Sequence, residues 1–166
     1  MTENVMRKLK IEKVVLNVSG TGEYLEKGFK LLERLTGKKP CKTRATKRIP
    51  TLGVRPGLEI GVVVTIREKP EEVLRRMLIG VENTLKKKQI SVNNFSFGVK
   101  EYLELPGIDY QRDIGIMGFD VTVVFKRVGR RVGIRKIKRN KIPEKQKITP
   151  AEIIKFMEEN FQTNFI

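Results

Sequence analysis

The chain has 166 residues, a formal net charge of +16, one cysteine and no histidine. That length can bury a core without metal or disulfide support, and the lone Cys41 together with the missing histidines excludes an intrachain disulfide, a Cys/His zinc site and every His-based catalytic arrangement. The longest apolar run, Ile60 to Ile66, is far short of the roughly 20 residues of a membrane span, and Met1 to Lys10 lacks the apolar stretch of a signal peptide, so a cytosolic protein with no cofactor and no membrane partner is expected.

Lys10 to Val18 alternates charged and β-branched residues and predicts a strand. Gly20-Thr21-Gly22 turns the chain. Leu25, Phe29, Leu32 and Leu35 then recur at helical spacing, with Thr36-Gly37 as a stop and Pro40 beyond it. Leu58 to Ile66 predicts a second strand, with Cys41 to Lys47 as its partner across a loop holding Pro50, Gly53, Pro56 and Gly57. Pro70, Glu71 and Glu72 open a second helix whose apolar stripe is Val73, Met77, Val81 and Leu85. Phe95 to Leu103 and Gly118 to Arg127 predict further strands, the latter with Phe119, Val121, Val123 and Phe125 on one face. Thr149-Pro150-Ala151-Glu152 is a capping box opening a terminal helix over 149–161, through Ile153, Phe156 and Met157. The order β-α-β-β-α-β-β-α implies an α+β fold, an antiparallel or mixed sheet with helices packed on it in one sandwich-like domain spanning 1–166.

The charge is unevenly spread. Lys38 to Arg55 holds seven Lys/Arg and no acid, Lys126 to Lys147 holds eleven against Glu144 alone, and the rest carries a net −1. A near-neutral body with two cationic surfaces, a basic loop over 38–58 and a basic segment over 126–147, suits a polyanion, since each Lys or Arg that neutralises a phosphate releases counterions. In the second stretch Arg127, Arg130, Arg131, Arg135 and Lys136 are candidate RNA contacts. The plain reading of Val128 to Lys147 is a solvated charged tail; the sharper one is a segment that orders only against nucleic acid, with Gly129 and Gly133 letting it bend.

Other motifs carry less. Gly20-Thr21-Gly22 resembles the opening of a dinucleotide fingerprint, but Leu25 stands where the third glycine belongs, which leaves a structural turn or backbone N–H groups for an RNA phosphate. Asp109 and Asp113 flank Tyr110 in a Gly- and Pro-bounded loop, where turn formation explains them better than a catalytic carboxylate pair. The aromatics Phe95, Phe97 and Tyr102 lack the interleaved basic residues of a stacking platform, which points to reading of RNA backbone and shape.

The segments KVVLNVSGTGE, LLERLTGKKPCKTRATKRI, RPGLEIGVVVTIR, FSFGVKEYLELPGIDY and DIGIMGFDVTVVFKR, in this order over almost the whole chain, resemble the universal large-subunit ribosomal protein that binds 5S ribosomal RNA, the L-five family; the basic tail is similar to its archaeal and eukaryotic branch. The resemblance implies a non-enzymatic protein of the central protuberance on the cytoplasmic ribosome. It implies 5S rRNA held by the sheet and first helical turn, a loop reaching the P-site tRNA, large-subunit rRNA and other 5S-binding ribosomal proteins as neighbours, and a bridge to small-subunit ribosomal protein thirteen. By motif it assigns 5S rRNA contacts to Asn17 in NVSGTG, Lys38 in TGKKP, and Thr65 and Arg67 in VTIR, and the tRNA-facing loop to Arg44, Lys47, Arg48 and Arg55. Lys38 departs from the Gln common in bacterial members, exchanging an amide contact for a charged one. A free-standing RNA chaperone using the same basic surfaces is the alternative from another class.

Overall fold

The computed structural model describes residues 4–166; the first three positions of the Met1–Lys10 stretch read for a leader lie outside the described residues. Strand β1 (Leu9–Ser19) buries Ile11, Val14, Leu16 and Val18 and turns Val15 and Asn17 to its other face, as strand alternation requires. Gly22, at φ 62°, leads into α1 (Glu23–Thr36), which buries Leu25, Leu31, Leu32 and Leu35. Gly37, at φ 63°, ends it by donating to the Glu33 carbonyl at 2.8 Å. β2 (Cys41–Arg44) and β3 (Glu59–Ile66) pair antiparallel with Cys41 opposite Val63, so the expected partner strand exists but stops at Arg44.

Helix α2 (Pro70–Ile79) ends before the stripe expected of it is complete. Glu82 and Asn83 both take positive φ, near 52° and 53°, and Leu85 is buried from the two-residue β4 (Thr84–Leu85) instead. The buried face of α2 is Leu74, Met77 and Leu78. β5 (Ile90–Ser91), β6 (Asn94–Val99) and β7 (Phe119–Arg127) follow. β6 is shorter than the Phe95–Leu103 expected: Tyr102 turns into the core, where its hydroxyl accepts from the Gln111 N–H at 3.0 Å. On β7, Phe119, Val121, Val123 and Phe125 are all buried, as alternation predicts. The single turn α3 (Arg131–Ile134) lies in the basic segment, and α4 (Pro150–Phe161) and β8 (Asn164–Phe165) complete the chain.

The main sheet has the order β2-β3-β1-β7-β6-β5, and every pairing in it is antiparallel; β4 and β8 form a separate parallel pair. The apolar alternates of β1, β3, β6 and β7 join those of α1, α2 and α4 in one core, stiffened by Phe125, whose ring lies 5.8 Å from Phe95 and 5.7 Å edge-on from Phe156. Among the described residues, the buried side chains of α1, α2 and α4 all join this core, and the alternate strand residues face away from it. This is the α+β architecture expected, in a single domain.

Candidate nucleic-acid interface

Because the buried alternates face the helices, the intervening residues form the open face. Asn17 on β1 stands opposite Val63 on β3 and Asp120 on β7, and Val15 stands opposite Thr65 and Thr122. Short polar groups dominate: the Asn17 amide donates to Ser19 Oγ at 3.2 Å, Thr43 Oγ1 donates to the Gly61 carbonyl at 3.1 Å, and the Ser96 and Thr122 hydroxyls are 3.0 Å apart. Such groups serve sugar hydroxyls and base edges better than they serve a second apolar layer.

The four residues expected at a 5S rRNA site are spread along the β1–β3 side of this face, with Asn17 level with Val63, four residues along the chain from Arg67. Asn17 and Thr65 lie on adjacent strands, and Arg67 is exposed just beyond the end of β3. Lys38, immediately after Gly37, reaches the same end through a 3.1 Å ion pair with Glu68. Its partner is 85% exposed, so the pair is weak and its ammonium can be given over to a phosphate.

The loop after β2 is an ordered extension of the β2–β3 hairpin. Ala45 donates to Leu58, Gly57 donates to Ala45, and Ile49 and Val54 exchange backbone hydrogen bonds around the turn at Pro50–Leu52. Ala45 and Val54 are buried within it. Lys47, Arg48 and Arg55 project from it, exposed and, among the described residues, without a carboxylate partner. Arg44 is placed differently, 3.5 Å from Glu59. Lys42 is bound inward: its ammonium donates to Glu26 and sits 3.2 Å from Glu59, and hydrogen bonds to these two carboxylates, Glu26 first, hold its pKa above the usual lysine value.

The basic segment divides in the same way. Arg127, with only 10% of its side chain exposed, pairs with Glu152 on α4 at 2.6 Å, and Arg130 pairs with Glu12 on β1. These two residues, read from sequence as RNA contacts, also fasten the segment to the body. Arg131, Arg135 and Lys136 are exposed. Within the segment Ile142 lies against Gly133, and Ile148 just beyond it is buried, while most side chains from Arg131 to Lys147 are exposed. Desolvation pushes the Glu152 carboxyl up, but the Thr149 N–H at 3.0 Å and the Arg127 guanidinium outweigh it and hold it below the usual value.

A third cationic cluster escaped the sequence reading. Lys86, Lys87 and Lys88 are exposed on a single turn leading into β5, at the sheet edge opposite β2. The run of three lysines was its signal, obscured by the larger charge elsewhere.

Residues 4–55 match the family model described as Ribosomal protein L5, and residues 59–156 match the model for the C-terminus of the same ribosomal family. The chain belongs to the ribosomal protein L5 family. It is a structural constituent of the large subunit of the cytoplasmic ribosome, and not an enzyme. Three archaeal proteins, each named large ribosomal subunit protein uL5, are similar over nearly their full lengths. The one from Nanoarchaeum equitans is 41% identical, with 99% of both chains covered. That from Sulfolobus acidocaldarius is 40% identical over 99% of this chain and 94% of its own, and that from Archaeoglobus fulgidus 42% over 94% and 89%. The boundary between the two L5 family models falls in the basic loop, while β1 pairs across it with both β3 and β7. The L5 halves thus share one sheet. Among the described residues no helix is long and apolar enough to cross a membrane, and no group of His, Cys, Asp and Glu is placed to hold a metal ion.

Proposed function

We propose that the open sheet face binds 5S rRNA, that the basic loop touches P-site tRNA, and that the protein sits in the central protuberance beside large-subunit rRNA and other 5S-binding ribosomal proteins, forming a bridge to small-subunit ribosomal protein thirteen. The observation that supports the 5S reading is the placement of Asn17 and Thr65 on adjacent strands of a polar sheet face, with Arg67 and Lys38 at the end of β3 that borders it. Amide and hydroxyl groups there suit sugar hydroxyls and base edges, while Lys38 and Arg67 suit phosphates. The loop's unpaired cations lie beyond that face, which favours a second RNA as their partner.

A filter-binding titration with 5S rRNA and with a transfer RNA of similar length, across several salt concentrations, tests the reading. A preference for 5S rRNA that persists as salt rises is expected. Arg67→Ala and Lys38→Ala should each weaken it and reduce the salt slope by about one unit or less per lost phosphate contact. Equal affinities falling together with salt would instead favour the general RNA-binding alternative.

A further inference from the structure

We propose that the recess at the β6–β7 side of the open face is a pocket for one unstacked guanine of the bound RNA, with Tyr24 as its stacking surface and Asp120 as the reader of its Watson–Crick edge. The proposal rests on the reading of this face as the 5S rRNA site and goes beyond it in naming a base and the residues that select it.

The first argument is electrostatic. The six-stranded sheet contains three acidic residues, and two are spoken for: Glu12 by Arg130, and Glu59 by Lys42 and Arg44. Asp120, exposed in the row Val63–Asn17–Asp120–Gly98, has neither an ion pair nor a side-chain hydrogen bond among the described residues. A bare carboxylate in an RNA-binding face repels phosphates, so its natural partner is a base edge rich in donors. Guanine alone presents two neighbouring donors, N1–H and the 2-amino group, to match two carboxylate oxygens. Adenine and cytosine would set a ring acceptor against the second oxygen, and uracil flanks its one donor with carbonyls.

The second argument is shape. Asp120 and Asn17 line a recess of about 330 Å³ together with Tyr24, Gly98, Lys100 and Gly118, a size typical of small-ligand sites. Gly98 leaves the space beside Asp120 clear, since a Cβ there would lie 3.4 Å from its Oδ1, and Gly118 lets the backbone pass the Lys100 carbonyl, which a Cβ would meet at 2.5 Å. Tyr24 packs its ring on Gly20, where a Cβ would come within 2.4 Å of Cδ1, yet the residue is 44% exposed. An aromatic ring held in place with its surface free is what an extruded base stacks on. Lys100, exposed at the rim, can meet that nucleotide's phosphate.

Kethoxal, which reacts with guanine at N1 and N2, tests the pocket on the 5S rRNA complex of the full chain. The wild-type protein is expected to protect a guanine that Asp120→Asn and Tyr24→Ala each leave reactive, with 5S rRNA affinity about tenfold lower. Tyr24→Phe should keep both the protection and the affinity. Thermal melts of Asp120→Asn and Tyr24→Phe should match wild type, and Tyr24→Ala, which gives up the ring's contact with Gly20, is probed well below its own melting temperature. If 5S rRNA binds but no guanine's protection depends on both residues, the pocket assignment is overturned while the 5S reading stands; this includes a loss of affinity on Asp120→Asn without a change at any guanine, as a bridging cation would produce. If 5S rRNA does not bind at all, both fall.

Discussion

Arg127 at the end of β7 and Glu152 in the first turn of α4 form a 2.6 Å ion pair, with the arginine side chain only 10% exposed. The same Glu152 accepts from the Thr149 N–H at 3.0 Å, so one carboxylate both starts α4 and docks it to the sheet. Arg127→Ala leaves Glu152 half-satisfied and should cost about 2 kcal/mol, measurable as a lower urea midpoint with unchanged slope. An unaltered midpoint would mean that α4 is held by its apolar face, Ile153, Phe156, Met157 and Phe161.

The acid limb of stability should report this carboxylate. Its folded-state pKa lies below the usual value, so its contribution is complete above the ordinary carboxylate range and is lost as pH falls through the lower folded value. Glu152→Gln is therefore expected to be less stable than wild type near neutrality and to converge with it under acid conditions. Parallel curves of thermal midpoint against pH would rule this out.

Gly28 tests the packing of α1 on β1. A Cβ there would lie 2.7 Å from Cγ1 of buried Val18. Alanine improves helix propensity by about 1 kcal/mol, but the clash costs about 1–3 kcal/mol, so Gly28→Ala should be neutral to destabilising. Paired with Val18→Ala, it should lose less than the two single changes together. Strict additivity in the double-mutant cycle would show that the contact is not felt.

Arg48 and Arg55 belong to the loop and not to the sheet face. Replacing both with glutamine should leave 5S rRNA affinity within about twofold of wild type while weakening tRNA binding to reconstituted large subunits, with a smaller salt slope. If 5S rRNA binding collapses instead, the loop is part of the 5S site.

Where the physics was local, the chain order of elements was readable. Alternation over Phe119–Phe125 and the glycine stop at Gly37 each depend on neighbouring residues, and both appear where expected. The α2 stripe marked burial but not the element: Leu85 is 2% exposed, yet it is delivered by β4, whose partner Phe165 lies far along the chain. The two-residue strands β4, β5 and β8 have no pattern long enough to read. At the site, the charge runs showed which regions are cationic, but not that Arg127 and Arg130 are bound to Glu152 and Glu12, because those pairings are set by tertiary contact. Asp120 was implicit in the alternation that buries Phe119 and Val121; what sequence could not supply was its row-mates Asn17 and Gly98.

The central place of β1 has a consequence during synthesis. It leaves the ribosome before both of its sheet neighbours, and its Leu9 must wait for Arg127 before that edge is closed. Until β7 emerges, Val14, Leu16 and Val18 sit on a strand with one edge free and its core incomplete, a state open to pairing with other chains. The burden falls on the nascent chain: its completion is gated by translation of β7, and a stall before Phe119 would release a sticky half-sheet where a finished ribosomal building block was due.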